Sequence, residues 1–165
     1  RHSAQTLLAP QEYDLKDFTM PVDEDARGSF AESIETLQGV VFILDGHLEA
    51  AKKLFQSLLE RTEHSLSETF CQLYLLQIAL LEGDNEKAEE YASIRSVKSF
   101  LSLKMADVQM IQAWYQFKVN NDVAQTRKAM KIARQKMNSS RMLRDEQCYY
   151  ENWLGELEKA LAEGV

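Results

Sequence analysis

The residues able to do acid–base, nucleophilic or metal chemistry are few in this chain and poorly spaced for it. Its 165 residues include three histidines, His2, His47 and His64, and two cysteines, Cys71 and Cys148. No two histidines have the separation of a metal-binding pair on a helix, and no CxxC or HExxH run occurs. His47 opens a helical stretch directly after a break, and His64 sits in a loop. Cys71 lies in an apolar helical run and Cys148 beside tyrosines, so both read as small buried hydrophobes rather than nucleophiles. Six glycines are too dispersed for a phosphate loop or a GxGxxG turn. The many Asp and Glu residues fit exposed helix faces. The expectation is a protein without catalytic residues, metal or cofactor.

Charge narrows the partners. The net charge of −7 argues against whole-chain attraction to nucleic acid or anionic lipid. Residues 123–144 nevertheless hold seven basic side chains and no acid, a window of +7 that leaves −14 for the remainder. Arg127, Lys131 and Arg134 fall three and four apart on one helical face, with Lys128 beside them. This basic face is a candidate docking surface for an acidic partner or a phosphate backbone; a solvated face, or one paired with the acidic N-terminal arm, is the plainer alternative. No apolar run reaches the roughly 18 to 20 residues of a membrane helix. The longest, residues 73–81, is interrupted by Gln77 and ends at Glu82. Two cysteines are too few for a disulfide framework, and a cytoplasmic location is expected. The chain starts at Arg1 rather than Met, which reads as an excised piece of something longer.

The elements that must position these residues are helices. Both prolines, Pro10 and Pro21, lie in the first 21 residues, and nothing after them forces a break in helical hydrogen bonding. Residues 1–28 form an irregular acidic arm, and residues 29–165 form the helical domain. The first helix starts at a Ser29-x-x-Glu32 capping box and carries Phe30, Ile34, Leu37, Val41 and Leu44 on one face. Further helices cover about 47–61, 65–81, 85–96, 103–118, 123–137 and 142–161, seven in all, with residues 97–103 fitting no pattern cleanly. No strand or hairpin pattern is present.

The breaks recur. Gly46, Gly83 and Asn120 stand 37 residues apart in both intervals, and a period in the 30s is characteristic of stacked helix pairs. Gly46 is followed by Ala51 and Phe55, Gly83 by Ala88 and Ala92, and Asn120 by Gln125 and Ala129, at the same steps of five and nine. Gly39 stands seven residues before the first break and Ala113 seven before the third. A tight helix hairpin needs a residue tolerant of left-handed backbone at the turn, and small residues where the helices approach, Gly39 against Ala51 in the first pair.

With these residues the chain resembles the tetratricopeptide (TPR) family. Gly39-x2-Phe42-x3-Gly46-x4-Ala51-x3-Phe55 matches that motif well. The second copy keeps Gly83 and Ala88 but has Leu76 for a small residue. The third has Asn for Gly and Gln for Ala. The proline that usually closes each repeat is absent, which marks a divergent member. The resemblance implies an all-α, TPR-like helix-hairpin solenoid of about seven helices, with the last helix as a cap.

It also implies a concave groove lined by the first helix of each pair: Val40, Ile43, Phe70, Leu73, Gln77, Met110, Trp114 and Phe117. The family's clamp for a carboxyl-terminal carboxylate needs Lys and Asn there, and these positions lack them. The implied function is a non-catalytic protein–protein interaction module that binds a partner peptide or helix through apolar anchors. The alternative is a ligand-sensing or oligomerisation domain of a larger regulator, transcriptional regulators included, or a small secretion chaperone. Self-association belongs to the second class. The same groove residues would serve as internal packing if the arm or the last helix covered them.

Overall fold

In the computed structural model the described residues are 24–139 and 142–164, with side chains from Ser29 onward. They form eight α-helices and, among the described residues, no strand. These are α1 (Glu24–Leu44), α2 (Leu48–Arg61), α3 (Ser65–Glu82), α4 (Asn85–Ala92), α5 (Arg95–Phe100), α6 (Ala106–Lys118), α7 (Val123–Ser139) and α8 (Arg144–Gly164). The protein is therefore all-α and built of helix hairpins. The expected arm lies outside the described residues as far as residue 23. Residues 24–28 are helical, so Ser29 and Glu32 sit inside α1 rather than at its cap, and Ser33 Oγ donates to the Ser29 carbonyl at 3.0 Å. The eighth helix is α5, which overlaps the stretch that fitted no pattern and takes residues 95 and 96 from the expected 85–96 helix. Ile94 takes an extended conformation and separates α5 from α4.

The hairpins turn as the residue types require. Gly46 and Gly83 are left-handed, with φ of +82° and +77°. At the first turn the Gly46 amide donates to the Ile43 carbonyl at 3.0 Å and the His47 amide to the Phe42 carbonyl at 2.8 Å. At the second, Gly83 donates to Leu80 at 3.3 Å and Asp84 to Ala79 at 2.9 Å. This pair of bonds closes a helix end on a left-handed residue and satisfies carbonyls that would otherwise lack partners.

The third turn corrects the sequence expectation. Its left-handed residue is Asn121, φ +52°, not Asn120. The closing bond runs from the Asp122 amide to the Gln116 carbonyl at 2.9 Å. The accepting carbonyls, on Phe42, Ala79 and Gln116, keep the 37-residue step; the donors, His47, Asp84 and Asp122, step by 37 and then 38. One extra residue sits in the third turn. From the true pivot, the small residue five positions on is Thr126, fully buried like Ala51 and Ala88, whereas Gln125 is exposed. The amides of Ala51, Ala88 and Thr126 bond the carbonyls of His47, Asp84 and Asp122 at 3.0, 3.0 and 2.9 Å. The Thr126 hydroxyl is satisfied within its own turn, donating to the Asp122 carbonyl at 2.7 Å. Asp84 and Asp122 also cap the helices that follow, accepting from the Lys87 and Gln125 amides at 3.1 and 3.0 Å.

The chain divides into two compact units between Cys71 and Gln72, inside α3. In the first, α1 packs on α2. Gly39 lets this happen, but against Phe55 rather than Ala51. A Cβ built at Gly39 would come within 2.3 to 2.8 Å of three atoms of the Phe55 ring, which is itself fully buried. At the far end of the same interface Arg61 forms a two-bond ion pair with Glu35, and Thr62 Oγ1 donates to Glu32 Oε1 at 2.6 Å. In the second unit α6 packs on α7, α8 lies against both, and α4 packs on α5 and α6.

Replacing a mid-helix glycine by alanine ordinarily stabilises a helix by about 0.5–1 kcal/mol. At Gly39 the clash decides the sign: Gly39→Ala is expected to lower stability by about 1–3 kcal/mol, read as a lower midpoint in urea. Combining it with Phe55→Leu should recover part of that loss, so that the two changes are less than additive.

Candidate functional site

The expected groove residues fall in both units and are described unit by unit. In the first, Ile43 is buried and Val40 and Phe70 are half-buried. In the second, Leu73, Gln77, Met110 and Trp114 are buried and Phe117 is half-buried. Two of this last group, Trp114 and Gln77, meet α8 directly. Trp114 stacks on Trp153, with ring centroids 5.4 Å apart and planes 14° from parallel, and its Nε1–H donates to the Trp153 carbonyl at 3.3 Å. Phe117 meets Trp114 edge-on, and Lys118 Nζ lies 5.6 Å from the same ring centroid. Gln77 Nε2 donates to the Tyr150 hydroxyl at 3.4 Å, while its Oε1 has no hydrogen-bond partner among the described residues. A helix with an apolar stripe at 150, 153, 154, 157 and 161 buries that stripe here, as its spacing foretells.

Two carboxyls stand beside this packed cluster. Burial pushes Asp107 above the usual carboxylate range, against a 2.8 Å hydrogen bond from the Val108 amide that favours the anion. Glu146 is raised by burial and then by the charge of Asp107. The hydroxyls of Tyr74 and Tyr150 are held far above their ordinary range, first by burial and then by these charges. Such a cluster stays protonated on its phenols and strains against holding two anions.

The reactive residue types stay apart. His47 is exposed, His64 half-buried, and among the described residues no group of three or more His, Cys, Asp and Glu side chains is placed to hold a metal. Burial, and then the charges of Glu32 and Glu35, push the Cys71 thiol up to about 12, so it is not a thiolate at neutral pH. Both cysteines are unpaired. No described helix is long and apolar enough to cross a membrane.

Two surfaces are open instead. The first is on α1. Glu32, Glu35, Gly39 and Ile43 occupy the side that meets α2 or is buried, and the stripe of Phe30, Ile34 and Leu37 lies on the opposite side, with Ile34 and Leu37 exposed by 41% and 46%. The sequence showed this stripe clearly as one face of a helix, without saying what that face meets. The second is the basic face. Arg127, Lys131 and Arg134 line an open cleft of about 310 Å³ between α7 and α8, together with Met130, Glu158, Leu161 and Ala162; Lys128 is exposed and does not line it. Arg134 pairs with Glu158 across this cleft.

An all-α protein of helix hairpins with no metal-holding group among its described residues is a class defined by architecture alone. No family model, curated protein or solved structure matches the chain.

The buried cluster yields two expected outcomes. Trp114→Ala should lower stability by about 3–5 kcal/mol, with a matching fall in the thermal midpoint. A carboxyl whose folded-state pKa is raised contributes stability that is complete below the ordinary carboxyl range and is lost as pH rises through the raised value. Asp107→Asn should therefore raise the thermal midpoint at neutral pH, and its advantage should shrink as the pH falls to the ordinary carboxyl range.

Proposed function

We propose that this chain is a non-catalytic protein-interaction module of TPR-like helix hairpins, which holds an amphipathic partner segment by apolar anchors against the open face of α1. The observation that carries the reading is the stripe at Phe30, Ile34 and Leu37. It is spaced for a helix-in-groove contact yet turned away from α2. The TPR-like character rests on the Gly39 to Phe55 motif, on two glycine turns closed by the same pair of bonds, and on a third, one residue longer, that accepts at the carbonyl in the same 37-residue step. Three side chains exposed by less than half each fall far short of the about 800 Å² per partner that stable dimers bury, which favours a short partner segment over a second copy. Within this reading the buried groove residues serve the packing of each unit, and the contact is left to exterior faces. Two unpaired cysteines are in keeping with a cytoplasmic setting.

The test is a double substitution, Ile34→Ser with Leu37→Ser, measured against a fluorescent helical peptide bearing leucines on one face. Both positions are exposed, so the stability change should stay within about 0.5 kcal/mol. Binding should weaken by about tenfold or more. Equal binding by the variant, a midpoint that falls as for a core substitution, or a mass in light scattering that doubles with concentration would each overturn the proposal.

A further inference from the structure

The cleft between α7 and α8 lies wholly in the second unit and owes nothing to the stripe on α1. One side of α7 buries Thr126, Ala129, Met130, Ala133 and Met137. The other presents Arg127, Lys128, Lys131 and Arg134, and the helix has no acid anywhere in its length. Where the two sides meet, Met130 forms an apolar floor with Leu161 of α8. Arg134 is committed to Glu158. Arg127 and Lys131 have no ion-pair partner among the described residues, and they stand one helical turn apart on the rim. The cleft therefore offers two free cations, a third cation held by an exchangeable carboxylate, and an apolar seat between them.

These features select among anions. From Arg127 to Arg134 is about 10 Å along the helix, more than one carboxylate or one phosphate spans, so the complement is a row of negative charges. The apolar floor adds a demand that a sugar-phosphate backbone does not meet, and no aromatic side chain lines the cleft to stack a base. At about 310 Å³ it is at the small end of ligand pockets, about 300–1,000 Å³, a size suited to an anchoring side chain. We propose that the α7–α8 cleft is a second binding site, for an acidic peptide segment with an apolar anchor between its carboxylates. The anchor seats on Met130 and Leu161, the flanking carboxylates meet Arg127 and Lys131, and a further carboxylate competes with Glu158 for Arg134.

The experiment is fluorescence anisotropy on the whole chain. The probe is a fluorescein-labelled peptide of Asp and Glu with one central leucine. Comparison probes are the same peptide with serine for leucine, and a labelled single-stranded oligonucleotide. The leucine peptide should bind, weaken as salt is added, and lose about tenfold or more in affinity on Arg127→Glu with Lys131→Glu. Glu158→Gln frees Arg134 and should tighten binding several-fold, a gain that an unfolded variant could not produce. Ile34→Ser with Leu37→Ser should leave this binding unchanged, which separates failure here from failure of the α1 contact. Three results would overturn the proposal: equal affinity of the charge-reversed protein, equal affinity for the serine peptide, or tighter binding of the oligonucleotide, which would make the face a phosphate-backbone contact.

Discussion

The helix hairpins of the described residues depend on how a helix end can be closed within two or three residues. The last carbonyls of a helix lack partners unless the chain folds back on them, and the shortest way to do that puts one residue in the left-handed region. Gly46 and Gly83 take that conformation at little steric cost, and Asn121 takes it as the next most tolerant type. Once the turn is closed, the first residues of the next helix are set. The amide five positions after the pivot bonds the carbonyl of the residue directly after it, and its side chain is fully buried. That position must be small, and Ala51, Ala88 and Thr126 occupy it.

Thr126 shows why the register could be missed. A fixed step of 37 from Asn120 lands on Gln125, a residue that suits the surface and is found there. The inserted residue leaves the closing carbonyl in step and moves only the donor, so nothing in the composition of the turn reveals it. Asn120, Asn121 and Asp122 are all acceptable turn residues, and only the backbone geometry distinguishes the pivot. A threonine in place of alanine also hides the repeat, because a hydroxyl looks wrong for a buried contact. It is right here because the hydroxyl bonds within its own first turn and brings no unpaired polar atom inside.

The apolar face of α1 was legible in another sense. Period 3.6 in Phe30, Ile34, Leu37, Val41 and Leu44 identifies a helix with one apolar side, and the helix is there. Periodicity does not say which neighbour that side meets. The hairpin with α2 is fixed instead by Gly39 beneath Phe55, and by Glu32 and Glu35 reaching Thr62 and Arg61. A carboxylate pair aligned with a glycine is a weak signal in a helix full of carboxylates. The groove positions inferred from family resemblance fare similarly. Leu73, Gln77, Met110 and Trp114 do face inward from their helices, but the stripe on α8 whose spacing was equally plain meets Trp114 and Gln77 directly.

Charge is distributed in the second unit in a way that packing alone does not require. Asp107 and Glu146 are drawn together where burial penalises both, and α7 gathers cations with no acid among them. A helix face that served only to meet water would mix signs, since opposite charges at a spacing of four stabilise by about 0.2–0.5 kcal/mol and like charges destabilise by a similar amount. Arg127 and Lys131 stand at that spacing with like charge. Part of the repulsion is relieved by Glu158 on the neighbouring helix, which engages Arg134 and leaves the other two uncompensated among the described residues. The result is a positive field concentrated over an apolar seat on a protein whose net charge is −7. In the proposed acidic-peptide contact, such a field attracts what the rest of the surface repels, and that contrast is the source of the selectivity proposed for a face of modest size.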